Sequence, residues 1–141
     1  MPQQAEALSA AVQGLPIGYA AFSRRDFDQA LIGLDPEIEF IVPPYLVAEQ
    51  HVFHGHEGVR RFWELGFREF EWWTIEADEL VPIPPDKVLV HATETMCSRG
   101  SRAEATVHTF HLWTFRNALA TRCQVFFDRD AAMRTAGLMQ E

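Results

Sequence analysis

Apolar and polar residues alternate through the last third of the chain, and this pattern predicts a pair of antiparallel strands. Two runs of β-branched and aromatic residues lie within Glu104–Asp128 and flank a polar turn at 116–118. One face of the first run carries Val107, Thr109, His111, Trp113 and Phe115, and the other carries His108, Phe110, Leu112 and Thr114. Because both faces hold large apolar groups, we expect helices against one and a second subunit, or more protein, against the other.

Helical spacing of apolar residues predicts three helices upstream of this hairpin. The first follows an apolar stripe from Leu8 to Phe22, which Gly14 and Pro16 interrupt, so the helix either kinks near residue 15 or begins there. A second, short helix over 27–34 starts after the N-cap candidate Asp26, and a third runs over about 55–70.

Further strands and one closing helix complete the predicted order. Alternation predicts strands over 37–42, 72–81 and 87–97, a loop over 43–53, and a last helix that starts after Asp128 or Asp130 and stops near Gly137. The result is one α+β domain over residues 1–141. Three N-terminal helices pack on a curved, mostly antiparallel sheet, a short C-terminal helix follows, and helices and sheet enclose a cavity.

Composition and charge limit the classes of partner that we expect this protein to bind. The chain is 48% hydrophobic with a net charge of -8 and a single lysine, Lys87, which argues against nucleic-acid and anionic-membrane surfaces. No apolar run approaches membrane-spanning length and no charged segment precedes an apolar one, so we expect a cytoplasmic protein. Cys97 and Cys123 lie inside predicted strands, which favours reduced core cysteines over a disulfide.

Glu94 and His111 are the candidate catalytic pair, because each lies among apolar residues on a predicted strand face. Burial raises the pKa of a carboxyl group, and a neighbouring imidazole that shares its proton would make a general acid/base couple. The same two groups are equally compatible with a hydrogen bond that only satisfies a pocket wall.

A histidine cluster precedes the third helix, with His51, His54, His56 and Glu57 closely spaced. Such spacing alone does not make a metal site, and Glu57 is explained by the helix dipole. We therefore predict no metal ion here.

Five segments carry a resemblance to a known family: AAFSRRDFDQAL, DPEIEF, FHGHEGVRRFWE, SRGSRAEATVHTFHLWTFRNAL and FFDRDAAMRTAGL. Their order resembles the nuclear-transport-factor-2-like superfamily, specifically its SnoaL-like branch, over roughly residues 15–138. The resemblance implies a cone-shaped domain with a deep pocket and a homodimer formed through the outer sheet face. The family includes isomerases, cyclases, epoxide hydrolases and binding proteins, and it implies no cofactor.

The known catalytic positions of the family are largely not kept. The general-base Asp of the ketosteroid isomerases falls on Phe40, their second acid on His111, and their pocket tyrosine at or beside Gly18, next to Tyr19. The Asp-Arg-Asp set of the epoxide-hydrolase relatives falls on Val125, Ala92 and Glu94. Only one of those three positions carries a carboxylate, so neither established mechanism is expected.

Aromatic content predicts an apolar ligand pocket. Its expected lining is Tyr19, Phe22, Phe40, Trp63, Phe67, Trp73, Trp113, Val125 and Phe127. Two functions stay open. One is acid/base isomerisation, cyclisation or hydration of a small apolar, cyclic or polyketide-like molecule through His111 and Glu94. The other is a non-catalytic module that binds a small ligand or another protein.

Overall fold

The computed structural model describes residues 2–47 and 50–140. Its elements are α1 (Pro2–Ser23), α2 (Phe27–Leu31), β1 (Leu34–Ile41), β2 (Val52–His54), α3 (Gly55–Glu69), β3 (Phe70–Ile83), β4 (Lys87–Ser98), β5 (Glu104–Arg116), β6 (Leu119–Phe126) and α4 (Arg129–Thr135). The predicted α+β class is confirmed, with helices first, then a curved, mostly antiparallel sheet and a short last helix. In the described residues, no helix is both long and apolar enough to cross a membrane.

The strands form one sheet in the order β2-β1-β6-β5-β4-β3. All neighbours are antiparallel except β1 and β6, which are parallel. The β5–β6 hairpin turns at Asn117 and Ala118 with φ of 53° and 67°, the left-handed conformation that matches the twist of two-residue hairpins. In the β4–β5 ladder Val90 pairs with His111, and Glu94 pairs with Val107. Both candidate residues therefore lie on the same face of the sheet, and His111 meets α1 through Tyr19.

α1 is continuous through Gly14 and Pro16, so the alternative that the helix begins near residue 15 is wrong. The stripe from Leu8 to Phe22 is buried on the sheet, and this burial extends the helix across the interruption.

The boundary between α2 and β1 also differs from the prediction. α2 ends at Leu31, and β1 already begins at Leu34 and runs through Pro36. The register with β6 shifts between Leu34 and Glu39, and a proline is tolerated in such an irregularity because no ladder hydrogen bond is required of it. The predicted loop over 43–53 ends in the short strand β2, which pairs with β1.

The outer sheet face is partly covered by the chain itself. Phe110 and Leu112 are buried in a small second core with Leu89, Ala132 and Ala136. The last two belong to α4 and its end, so the apolar outer face does not need a second subunit. Of the two coverings expected for this face, a second subunit or more protein, the structure shows more protein over Phe110 and Leu112, and a homodimer stays a prediction.

Both cysteines are buried and free.

Candidate functional site

A cavity of about 310 Å³ lies between α1, the α2–β1 segment and the concave face of the sheet. This volume is at the small end of the roughly 300–1,000 Å³ usual for small-molecule sites. Of the eleven predicted site residues, which are the catalytic pair and the nine expected to line the pocket, the structure places six on its wall: Tyr19, Phe22, Phe40, Trp63, His111 and Trp113.

Five other predicted site residues lie off that wall. Phe67 and Trp73 are buried in the main core beneath α3, and Val125 packs on the same core. Phe127 follows the last residue of β6, is 40% exposed and packs edge-on against Tyr45. Phe127 was expected on the wall because of its aromatic ring, but it lies just beyond the end of β6. Glu94 is buried behind the wall.

A continuous chain of hydrogen bonds connects α1 to the sheet at the cavity wall. The indole Nε1 of Trp113 donates to the Tyr19 hydroxyl at 3.0 Å, and that hydroxyl lies 2.6 Å from Nδ1 of His111. Nε2 of His111 is 3.0 Å from Oγ1 of Thr109 and 3.3 Å from Oε2 of Glu94. We call these five residues and Trp73 the buried network.

Glu94 ends this network and accepts hydrogen bonds on both of its oxygens. Trp73 Nε1 donates to Oε1 at 2.8 Å, and Thr109 Oγ1 donates to Oε2 at 2.6 Å. Among the described residues no buried side-chain nitrogen or oxygen lacks a partner. The network is therefore a complete set of donors and acceptors.

The carboxylate of Glu94 sets the direction of the hydrogen bonds, because it only accepts and Thr109 Oγ1 already donates its O–H to it. Nε2 of His111 therefore faces two acceptor oxygens, and it carries the proton of the neutral ring. Nδ1 is then the acceptor, so the Tyr19 O–H donates to Nδ1 while Tyr19 Oη accepts from Trp113. A proton that reaches Nδ1 would create an imidazolium beside the Glu94 carboxylate.

The pKa of Glu94 lies below its ordinary value, the reverse of the sequence-based expectation. Burial raises the pKa, as expected, but hydrogen bonding and charge from His111, with further hydrogen bonds from Thr109 and Trp73, together outweigh it. Glu94 is therefore a carboxylate at neutral pH.

The pKa values of Tyr19 and Cys123 shift upward, in the opposite direction to that of Glu94. Burial, chiefly, raises the pKa of the Tyr19 phenol well above its usual value, with the neighbouring Cys123 and Glu94 adding to the rise and the Trp113 hydrogen bond opposing it. Burial also raises the pKa of the Cys123 thiol, which lines the cavity. Tyr19 thus holds its proton at neutral pH and does not act as a resident phenolate, while Cys123 is an unreactive thiol.

Small and exposed apolar residues surround the outer end of the cavity. We define its mouth by Gly14, Ile17, Gly18, Ile32 and Gly33, all of which line it. Ile17 and Ile32 are 58% and 72% exposed. A Cβ added to any of the three glycines would meet no atom of the described residues within 4 Å. The mouth is therefore open and apolar.

The histidines before α3 have separate partners. His54 lies 3.9 Å from the Glu37 carboxylate, and Nε2 of His56 is 2.7 Å from the Leu34 carbonyl oxygen. In residues 2–47 and 50–140 no three His, Cys, Asp or Glu side chains are grouped to hold a metal ion.

Sequence reasoning did not single out Thr109 and gave the two tryptophans only an apolar role. Thr109 shares the His111 face of β5 two residues away, so the strand pattern contained the signal. The donor roles of Trp73 and Trp113 depend on side-chain geometry, for which a single sequence holds no signal.

Comparison with known proteins places this chain in a family. The family model of the SnoaL-like domain matches residues 18–123. The chain belongs to the SnoaL-like family. The predicted resemblance to SnoaL-like and nuclear-transport-factor-2-like proteins is confirmed. A search of curated proteins found no match.

Solved structures share the SnoaL-like fold at low sequence identity. TerC, co-crystallised with polyporic acid, has a TM-score of 0.76 at 24% identity, with 91% of this chain and 98% of TerC covered. A protein of unknown function from Burkholderia pseudomallei K96243 has a TM-score of 0.75 at 24% identity, covering 89% and 95%. A putative SnoaL-like polyketide cyclase from Jannaschia sp. CCS1 has a TM-score of 0.69 at 18% identity, covering 100% and 97%. These similarities concern the fold.

Proposed function

We propose that this SnoaL-like protein binds a small, apolar, cyclic or polyketide-like molecule in the cavity and moves a proton on it by acid/base chemistry. His111 is the proton carrier, and Glu94 is the buried carboxylate that orients His111 and stabilises its charged form. Such a proton transfer needs no cofactor.

The observation that carries this proposal is the hydrogen-bonded pair Tyr19–His111 on a mostly apolar wall. A buried imidazole costs solvation energy when it takes a proton, and an ionised carboxylate at 3.3 Å offsets that cost. A wall that only had to enclose an apolar ligand would need neither group. The relatives fit this ligand class, since TerC was co-crystallised with polyporic acid and the Jannaschia protein is a putative polyketide cyclase.

A binding module without catalysis is the second candidate. It is favoured by the complete pairing of the network's polar side-chain atoms and by the position of Glu94 behind the wall. In that case the network fixes the shape of a receptor cavity and leaves the ligand unchanged.

Exchange of an acidic C–H on a probe ketone separates the two candidates. 2-Tetralone is a two-ring, apolar, enolisable ketone, and loss of its α-proton signals in D₂O is followed by proton NMR. We expect the wild-type protein to accelerate the exchange and His111→Gln to abolish the acceleration, because an amide forms hydrogen bonds but does not take up a proton. His108→Gln is the matched control, since His108 lies on the same strand but is exposed on the outer face.

Each result bears on one candidate. Acceleration that disappears in His111→Gln and persists in His108→Gln supports acid/base function. Binding of 2-tetralone without acceleration by the wild type would refute acid/base chemistry on this ketone and support the binding module.

We also propose a homodimer through the part of the outer sheet face that α4 leaves open. This part is polar: Thr93 hydrogen-bonds to Asp78 and His108, and His91 lies 3.5 Å from Glu79. Light scattering after size-exclusion chromatography tests it, and a monomeric mass at micromolar concentration would rule out the dimer there.

A further inference from the structure

Three members of the buried network line the cavity: Tyr19, His111 and Trp113. Their polar atoms differ in what they can still bind. Both ring nitrogens of His111 are engaged, Nδ1 with Tyr19 and Nε2 with Thr109 and Glu94. The single N–H of Trp113 is donated to Tyr19. Neither side chain has a polar atom left for a ligand.

The Tyr19 hydroxyl oxygen does have capacity left. A phenol has one O–H and two lone pairs. The O–H is donated to His111 and one lone pair accepts from Trp113, so one lone pair is unfilled. Oxygens of Glu94 and Thr109 also have spare lone pairs, but these residues are 7% and 0% exposed and neither lines the cavity.

We propose that Tyr19 is the catalytic residue that contacts the ligand, and that the ligand presents a hydrogen-bond donor to Tyr19 Oη: a phenolic or enolic hydroxyl, or an acidic C–H beside a carbonyl. This inference rests on the proposed function and names the atom through which His111 acts. The remainder of the ligand is apolar, because Phe22, Phe40 and Trp63 form the surrounding wall.

The proton transfer balances without a further reactant. The ligand's O–H or C–H bond breaks, its electron pair stays on the ligand, and the proton goes to Tyr19 Oη. The proton that Tyr19 held passes along the 2.6 Å hydrogen bond to Nδ1 of His111. His111 becomes an imidazolium facing Glu94, and Tyr19 stays neutral. The reverse transfer returns the proton to the same or another atom of the ligand.

A matched pair of ligands tests the contact independently of turnover. 2-Naphthol has an O–H donor, whereas 2-fluoronaphthalene has nearly the same shape and none. We expect the wild-type protein to prefer 2-naphthol by about threefold to tenfold, the worth of one neutral hydrogen bond. Tyr19→Phe keeps the ring and should remove that preference. The control Tyr45→Phe changes a tyrosine that is 73% exposed and should leave it unchanged.

A second measurement needs no substitution at Tyr19, which also holds the network together. The chain has 2 tyrosines, so protein labelled with ¹³Cζ-tyrosine gives two resonances, and Tyr45→Phe assigns them. We expect 2-naphthol to shift the Tyr19 resonance and 2-fluoronaphthalene to shift it much less. An unchanged Tyr19 resonance under saturating 2-naphthol would overturn the inference, as would an undiminished preference in Tyr19→Phe.

Failure of the inference is distinguishable from failure of the proposed function. If Tyr19→Phe still accelerates 2-tetralone exchange while His111→Gln does not, the proposed function stands and the Tyr19 contact is wrong. If 2-naphthol shifts the Tyr19 resonance but no protein accelerates exchange, the contact stands and acid/base chemistry is wrong. If neither naphthalene compound binds the wild type and no protein accelerates exchange, both are wrong.

Discussion

Replacing Glu94 by Gln tests whether the buried carboxylate acts as a counter-charge. Glu94 accepts from Trp73 on one oxygen and from Thr109 and His111 on the other. Glutamine keeps one acceptor oxygen and turns the other into an NH₂ donor. Whichever way the amide is oriented, a donor of the network then faces another donor instead of an acceptor.

The structure sets the size of the effect. An unpaired buried donor costs about 1–3 kcal/mol. We therefore expect Glu94→Gln to lower the free energy of unfolding by about 1–3 kcal/mol at neutral pH. With a urea slope of about 1–3 kcal/mol per molar, this lowers the denaturation midpoint by about 1 M.

The pH dependence has a definite sign. The folded-state pKa of Glu94 is depressed below the ordinary value of 4.5, so its contribution to stability is complete above about pH 4.5 and is lost as the pH falls through the folded-state pKa. At acidic pH the Glu94 carboxyl group of the wild-type protein is protonated, and it then resembles the amide of the variant. The difference between wild type and variant should therefore shrink below about pH 4.5.

Urea unfolding followed by tryptophan fluorescence at neutral and acidic pH measures both effects. Glu64→Gln is the control, because Glu64 is exposed on α3 and its replacement should change little at either pH. A variant as stable as wild type at neutral pH, or a difference that is the same at both values, would refute the role of Glu94 as an ionised group that accepts on both oxygens.

Three further substitutions test packing and capping by thermal or urea unfolding. Gly18→Ala should raise the free energy of unfolding by about 0.5–1 kcal/mol, because the position is inside α1 and an added Cβ meets no described atom within 4 Å. Gly66→Ala, also inside a helix, should lower the free energy of unfolding by about 1–3 kcal/mol, since the added Cβ would lie 2.8 Å from Cε3 of Trp73. Equal effects of the two alanine substitutions would contradict this contrast. Asp128→Ala should lower the free energy of unfolding by about 1 kcal/mol, because the carboxylate accepts from two backbone N–H groups at the start of α4. An unchanged free energy of unfolding would mean that the cap is dispensable.

Elements with a strong, unbroken period were predictable from the sequence. α3 was expected over about 55–70 and is found at Gly55–Glu69, with Val59, Phe62, Trp63 and Phe67 buried as one apolar face. Alternation along β4 and β5 assigned Glu94 and His111 to strand faces, and the structure joins those faces. Elements held by tertiary contacts were less predictable. Pro16 weakened the helical signal of α1, whose burial on the sheet maintains the helix.

The candidate site was only half predictable, because its contacts join distant parts of the chain. The hydrogen bond between Tyr19 and His111 spans 92 positions. The apolar stripe indicated that Tyr19 faces inward but not which strand it meets. The pKa of Glu94 is lowered by three donors that surround one carboxylate, and a single sequence does not show them. Burial, which the sequence does indicate, raises the pKa instead.

Pro16 has a consequence for how a molecule would reach the cavity. Proline has no N–H, so the helix lacks the bond that position 16 would donate to the carbonyl of Val12. Flexible glycines 14 and 18 lie on either side, at the cavity mouth. Backbone support in the middle of α1 is therefore weaker than in the turns on either side, and Tyr19 follows this weak point. We expect bending at this point to widen the mouth while the bond from Tyr19 to His111 stays intact, which would separate ligand access from the contact that Tyr19 makes.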